Sequence, residues 1–373
     1  MNKKELLEIK KQFTPDNCAI TKICTCYVNG DKDKVTTSED AFLSLPEEEE
    51  FKYFDILRST LSGSITKNLE NIRFSIEEEK ENGKQEMLLK LRDSQLRDRD
   101  LLDRFYDKII ASYDTVENYL IVLIHGVYDI PGKAGDGTEM FDASDEVYSY
   151  IMCSICPVKL AKPGLAYIEK KNEIHERIRD RVVDKPMNGF LFPAFNDRGT
   201  DIHEALYYAK KPEDGQDAFI EEMFGTEAPV SPEMQKAAFE EMLGDVLLDA
   251  TNYETVKNIN ESLMEIMDEN RDNPEPVRLG KEEIKKVLES SGVAEDQMEH
   301  FDAAFDAHIG KTKDVVASNV VNTRKFCIET PDILLKVNPE RADLVSTKTI
   351  DGRKCIVIAV DDNIDVNGVN VTV

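Results

Sequence analysis

The stretch YSYIMCSICPVKL, residues 148–160, decides the fold. It holds the one C-x-x-C of the chain, and three readings compete for it: a redox pair, half of a metal site, or a buried strand with two thiols. Thioredoxin-like chemistry needs the first Cys at a helix N-terminus, where the dipole lowers its pKa. Here Cys153 and Cys156 sit late in an apolar run, and Pro157 follows at once. Strand side chains alternate faces, so residues three apart point to opposite sides of a sheet. Zinc would need two further ligands. Cys24 and Cys26 are the candidates, because C-x-C puts both thiols on one face of a strand, yet neither pair has the glycine turn of a zinc knuckle. The reading adopted is a central strand, with no metal and no cofactor expected.

Outward from that strand, ENYLIVLIHGVYDI (117–130) is a second continuous apolar run, as expected in the middle of a sheet. MNGFLFPAF (187–195) is a third, broken by Pro193. CAITKICTCYV (18–28) is β-branched and leads into Asn29-Gly30, a hairpin signal. Pro46, the acids after it, and Phe51, Phe54 and Leu57 at helical spacing predict a helix ending near Gly63. Residues 87–112 predict one or two amphipathic helices, and LAYIEKKNEIHERI a hairpin around Asn172. GTDIHEALYYAKK is expected to open a helix, with Thr200 or Asp201 as N-cap.

From about 205 to 320 the strand signal stops and acidic helices alternate with prolines. Residues 211–320 hold 10 Lys/Arg against 27 Asp/Glu, most of the chain's net charge of −27. Three β segments close the sequence, with Asp351-Gly352 and Asn367-Gly368 as hairpin turns. The class is α+β. A mixed sheet with flanking helices is expected over 1–205, an acidic helical segment over 206–320, and a small β unit over 321–373.

The 373 residues, 41% of them hydrophobic, suffice for two or three domains. Seven cysteines, odd in number and irregularly spaced, are cytosolic usage. MNKKELLEIKKQF lacks the apolar region of a signal peptide, and YLIVLI (119–124) is too short to span a bilayer. A cytoplasmic protein with reduced thiols and no membrane contact is expected. Its acidity disfavours indiscriminate binding to DNA, while leaving room for a local basic site.

Catalytic signatures are sparse. His125 lies in a central strand, where neutral burial is the common fate. FNDRGTDIHE gathers Asp197, Arg198, Asp201, His203 and Glu204. It reads as a carboxylate–histidine site, or as a capping box in which Asp201 and Glu204 serve a helix start; the capping box is preferred. VDDNIDVNG (360–368) fails as a calcium loop, with Val366 at the glycine position. PGKAGDG (131–137) matches no phosphate loop, and no G-x-S-x-G occurs. Two basic stretches remain, one with Arg97 and Arg99, the other with Arg177, Arg179 and Arg181. Alternating arginines on an extended segment project to one side, as phosphate contact needs; the plainer reading is a solvated face laced with ion pairs.

LLEIKKQFTPDNCAITKICTCYV, CSICPVKLAKPGLAY, MNGFLFPAFNDRGTDIHEALYY and NPERADLVSTKTIDGRKCIVIAVDDNIDVNGV together resemble, over the full length, a bacterial (Firmicute) family catalogued as a domain of unknown function. That resemblance implies no activity. A more distant one, in the order and pattern of CAITKICTCYV, LENIRFSIEEE, ENYLIVLIHGVYD and KFCIETPDILLKVNPE, is to the bacterial nucleoid-associated (NdpA-like) family. It implies an α+β region, a helical segment, a β-rich end and a link to DNA, but no catalytic residues. The chain departs from it in the loop PGKAGDGTEMFDASDE and in lacking a basic tail. The expectation is a non-catalytic binding protein with a nucleic-acid or protein partner, homo-oligomerisation being left open. The alternative is a hydrolase or transferase using His125, His203 and the acids of 197–204.

Overall fold

The computed structural model describes residues 1–133, 139–140, 146–247, 252–310, 313–321, 325–360, 364–366 and 369–371. The chain forms two compact units, Met1–Ser231 and Pro232–Val373. Strands of the first are β1 Ile20–Val28, β2 Lys34–Ala41, β3 Leu69–Arg73, β4 Asn118–Ile130, β5 Gly132–Lys133, β6 Glu139–Met140 and β7 Glu146–Leu160. After these come β8 Leu165–Ile168, β9 Glu173–Glu176, β10 Arg181–Val183, β11 Asn188–Phe192, β12 Ala194–Asn196, β13 Gly199–Asp201 and β14 Glu204–Ala209. Its helices are α1 Lys3–Lys10, α2 Glu47–Thr60, α3 Lys84–Asp93, α4 Arg99–Ser112 and α5 Asp217–Phe224.

One eight-stranded sheet runs β2-β1-β4-β7-β11-β14-β3, with β10 added beside β7. Its pairings are all antiparallel, which corrects the expected mixed sheet. The reason is that β7, β11 and β14 each turn back on the preceding strand of the sheet through hairpin or ribbon connections, with none of the helical crossovers that parallel neighbours require. Cross-strand registers put Cys24, Leu123, Cys153, Phe190 and Tyr207 in one row, under α3, α4 and α5. Ile23, Ile124, Met152, Leu191 and Leu206 form the row on the other face, under α1 and α2. With both faces covered, the middle strands lose their polar alternation, which is why 117–130 and 147–160 read as continuous apolar runs.

Gly189 is a point of tight approach between α2 and the sheet. A Cβ there would lie 2.4 Å from the Cys153 carbonyl oxygen and 2.6 Å from Thr60 Cγ2. The missing side chain lets Thr60 Oγ1 reach Ser154 Oγ at 2.7 Å in the buried layer.

The helix expected from Thr200 or Asp201 is not formed. Asp197 and Arg198 both have positive φ, the signature of a tight hairpin turn between β12 and β13. Residues 204–209 then run as a strand between β11 and β3, buried on alternate faces. Tyrosine's fit to a pleated, half-buried surface outweighs the capping signal. The first unit continues through α5 to Ser231.

The second unit holds α6 Pro232–Leu247, α7 Tyr253–Glu269, α8 Lys281–Ser290, α9 Glu295–Met298, α10 Phe301–His308 and α11 Ala317–Val320. They pack around Phe239, Met242, Ile284, Leu288, Phe301 and Phe305, with a short pair of β15 Arg278–Leu279 and β16 Val315–Val316. Three hairpins follow: β17 Phe326–Glu329 with β18 Leu334–Val337, β19 Val345–Ile350 with β20 Arg353–Ile358, and β21 Ile364–Val366 with β22 Val369–Val371. Asp351 and Gly352 both have positive φ, as the Asp-Gly turn requires; Asn367-Gly368 falls outside the described residues. The architecture is α+β, and among the described residues no helix is long and apolar enough to cross a membrane.

Candidate nucleic-acid interface

The thiols separate as strand geometry demands. Cys153 joins Cys24 and Cys26 in the layer beneath α4. Cys156 points to the other face, where its cross-strand neighbour Leu120 packs against the opposite cluster. All four are buried and unbridged. Burial pushes the Cys24 thiol up to about 12 and Cys26 to about 11, and raises Cys153 and Cys156 as well. Such thiols are poor nucleophiles. Among the described residues no three His, Cys, Asp or Glu are grouped to hold a metal ion.

The histidines do not converge. His125 is 1% exposed, with Nδ1 2.6 Å from Thr21 Oγ1 and Nε2 3.1 Å from Ser149 Oγ. Burial, helped by the charges of Arg92 and Arg97, lowers its pKa to about 4, so the ring is neutral at pH 7. His203 is exposed and lies 2.8 Å from Glu79 Oε1. In the sheet, β7 and β11 stand between His125's strand and β14, about 14 Å at ordinary strand spacing. The acids of 197–204 serve the hairpin. Asn196 Nδ2 donates to Asp201 Oδ2 at 2.7 Å and to Glu204 Oε2 at 3.0 Å, and the His203 N–H donates to Asp201 Oδ1. The Asp197 N–H donates to Glu5 and the Arg198 guanidinium to Glu8, tying α1 to the turn. A composite His125–His203 site does not form.

Arg99 is spent on Glu39, 3.1 Å away across a groove of about 410 Å³ that Thr37, Ser38, Asp103 and Tyr106 also line. With both signs of charge present, the groove offers a phosphate no uniform field. Arg97 lies in the turn before α4, where its charge reaches His125.

The second basic stretch is different. Beyond Leu160, β7 leaves the sheet as one strand of a ribbon. The Ala161 N–H donates to Asp180 O and the Arg177 N–H to Gly164 O, and β8 pairs with β9. Its turn spans 169–172, with Asn172 at positive φ, as the sequence predicts. The ribbon returns through β10, paired with β7 over Val158–Leu160. Residues 159–185 carry eight Lys/Arg against five Asp/Glu, a net of +3 in a chain whose remainder sums to −30. Lys162, Lys170, Lys171, Arg177, Arg179 and Arg181 are all exposed. Among the described residues none of these six forms a carboxylate ion pair, although Arg179 Nε donates to the Ala161 carbonyl. Of the three arginines, Arg181 alone lies in a strand.

Sequence reasoning overlooked the apolar side chains interleaved with these charges. Tyr167 is 59% exposed and Ile174 66%. Their exposure follows from the absence of an opposing layer, for which the local sequence holds no signal. No curated protein matches the chain. A family model described as a domain of unknown function (DUF4317) matches residues 1–369, and the chain belongs to that family.

Proposed function

We propose that this protein binds nucleic acid, duplex DNA above all, through the ribbon of residues 159–185, and that it acts as a nucleoid-associated binding protein of the cytoplasm. The observation that carries the reading is the local reversal of charge: an exposed, net-positive arm on a strongly acidic chain. A net negative body repels DNA, so contact is confined to the arm. Phosphate contacts from Lys and Arg position a protein without reading sequence, which suits general association. The distant nucleoid-family resemblance points the same way.

The test is gel retardation of a mixed-sequence duplex over a salt series. Six engaged cations give a log–log slope of about −5, and so about a thousand-fold loss of affinity between 50 and 200 mM salt. Replacing Arg177, Arg179 and Arg181 by Gln should lower the magnitude of the slope by about three. Absence of retardation at 50 mM salt overturns the proposal.

A further inference from the structure

The arm differs between its two faces, and its positive charges sit at its two ends. In β8 and β9, Leu165 stands opposite Glu176 and Tyr167 opposite Ile174, all on one face. Ala166, Ile168, Glu173 and His175 take the other face, where His175 Nε2 lies 2.6 Å from Glu173. The Tyr167 hydroxyl donates to Asn172 Oδ1 at 2.6 Å, fixing the ring against the turn. Lys170 and Lys171 occupy that turn, while Lys162, Arg177, Arg179 and Arg181 lie at the stem. Six residues from Lys171 to Arg177, at about 3.3 Å each, separate the cationic ends by about 20 Å. Between them sits a mainly apolar face of Leu165, Tyr167 and Ile174, each more than half exposed, with Glu176 at its stem end.

Resting on the nucleic-acid reading, we infer that this apolar face lies on the base edges of the DNA major groove, with the cationic ends on the phosphates that border it. A two-stranded ribbon fits a major groove about 12 Å wide and not an undistorted minor groove of about 6 Å. The positive ends complement the two phosphate strands that border a groove. Base edges are polar except at the thymine C5-methyl, which projects into the major groove and is the natural partner for Tyr167 and Ile174. The arm therefore distinguishes thymine from uracil in an otherwise identical duplex. DNA rich in A·T pairs is its preferred ligand.

The experiment compares binding of the full chain to a duplex of alternating dA and dT with the same duplex carrying deoxyuridine in place of thymidine. Charge and hydrogen-bonding groups are unchanged between the two, and only the methyl groups differ. The expected result is about ten-fold weaker binding to the uracil duplex, as burial of about two methyl groups implies. The double variant Y167A/I174A should bind both duplexes equally and keep the parent salt slope. Retardation of both duplexes with equal affinity by the parent protein overturns this inference and leaves the nucleic-acid reading standing. Retardation of neither overturns both. A dimer in sedimentation that Y167A/I174A dissociates, with binding to DNA unchanged, would assign the face to a second copy and overturn the groove contact.

Discussion

Strand β7 lives in two environments. From Tyr148 to Val158 it runs between β4 and β11, with helices over both faces, and nearly every side chain is buried. Past Leu160 the chain continues as a ribbon with one partner strand and no covering layer, and Leu165, Tyr167 and Ile174 are exposed. Hydrogen-bonded pairing is common to both stretches. The difference lies in what covers the faces, and it shows that burial, not pairing, separates a structural strand from a displayed one.

The comparison is sharpest when the same kind of truncation is made in both stretches. Met152→Ala removes a fully buried side chain from the layer under α2, and about 2–5 kcal/mol of stability should be lost in a denaturant titration. At the other extreme, Ile174→Ala on the arm should change stability by under about 0.5 kcal/mol. A large loss there would mean that the ribbon carries structure, and the contrast would fail.

His125, paired with Ile151 of β7, offers a second probe of the interior. Its folded pKa of about 4 lies below the ordinary 6.5, with burial as the main cause, Arg92 and Arg97 adding to it and Asp93 opposing. As pH falls from 6.5 to 4, the unfolded chain takes up a proton that the fold refuses. Stability should therefore fall by about 3 kcal/mol through that window and level off below it. The difference between parent and His125→Gln in pH-dependent unfolding isolates this contribution. A flat difference curve would show the ring to be hydrated.

Ser154→Ala lies between these and the arm in size. It removes the hydrogen bond between Ser154 and Thr60 but leaves Thr60 its donation to the Ile56 carbonyl, so the cost should be near 1 kcal/mol. A cost above about 3 kcal/mol would mean that this contact fixes α2 on the sheet.

Legibility in the sequence followed the same divide. The runs 117–130 and 147–160 are readable because burial on both faces leaves them uniformly apolar. Strand β2 is signalled only by the Asn29-Gly30 turn before it, because all eight residues of KVTTSEDA are exposed and nothing in their own pattern requires a sheet. Residues 200–209 misled because Asp201 and Glu204 stand at capping-box spacing, whereas the paired positive φ values of Asp197 and Arg198 have no single sequence hallmark. Of the proposed interface, Arg177, Arg179 and Arg181 are visible as alternating charge. The apolar face between them and the turn is not, since exposure of Tyr167 and Ile174 depends on the absence of a covering layer, which a local window cannot see.

The sheet's closing edge has a consequence for biogenesis. Among the described residues, β3 pairs with β14 and with no other strand, so residues 69–73 wait for residues 204–208. At 5–20 residues per second a ribosome needs on the order of ten seconds to deliver them. Helix α1, already within reach of Tyr128 through Glu8, gains its ties to Asp197 and Arg198 only then. For that interval the nascent chain presents an open sheet border and an incompletely tied first helix.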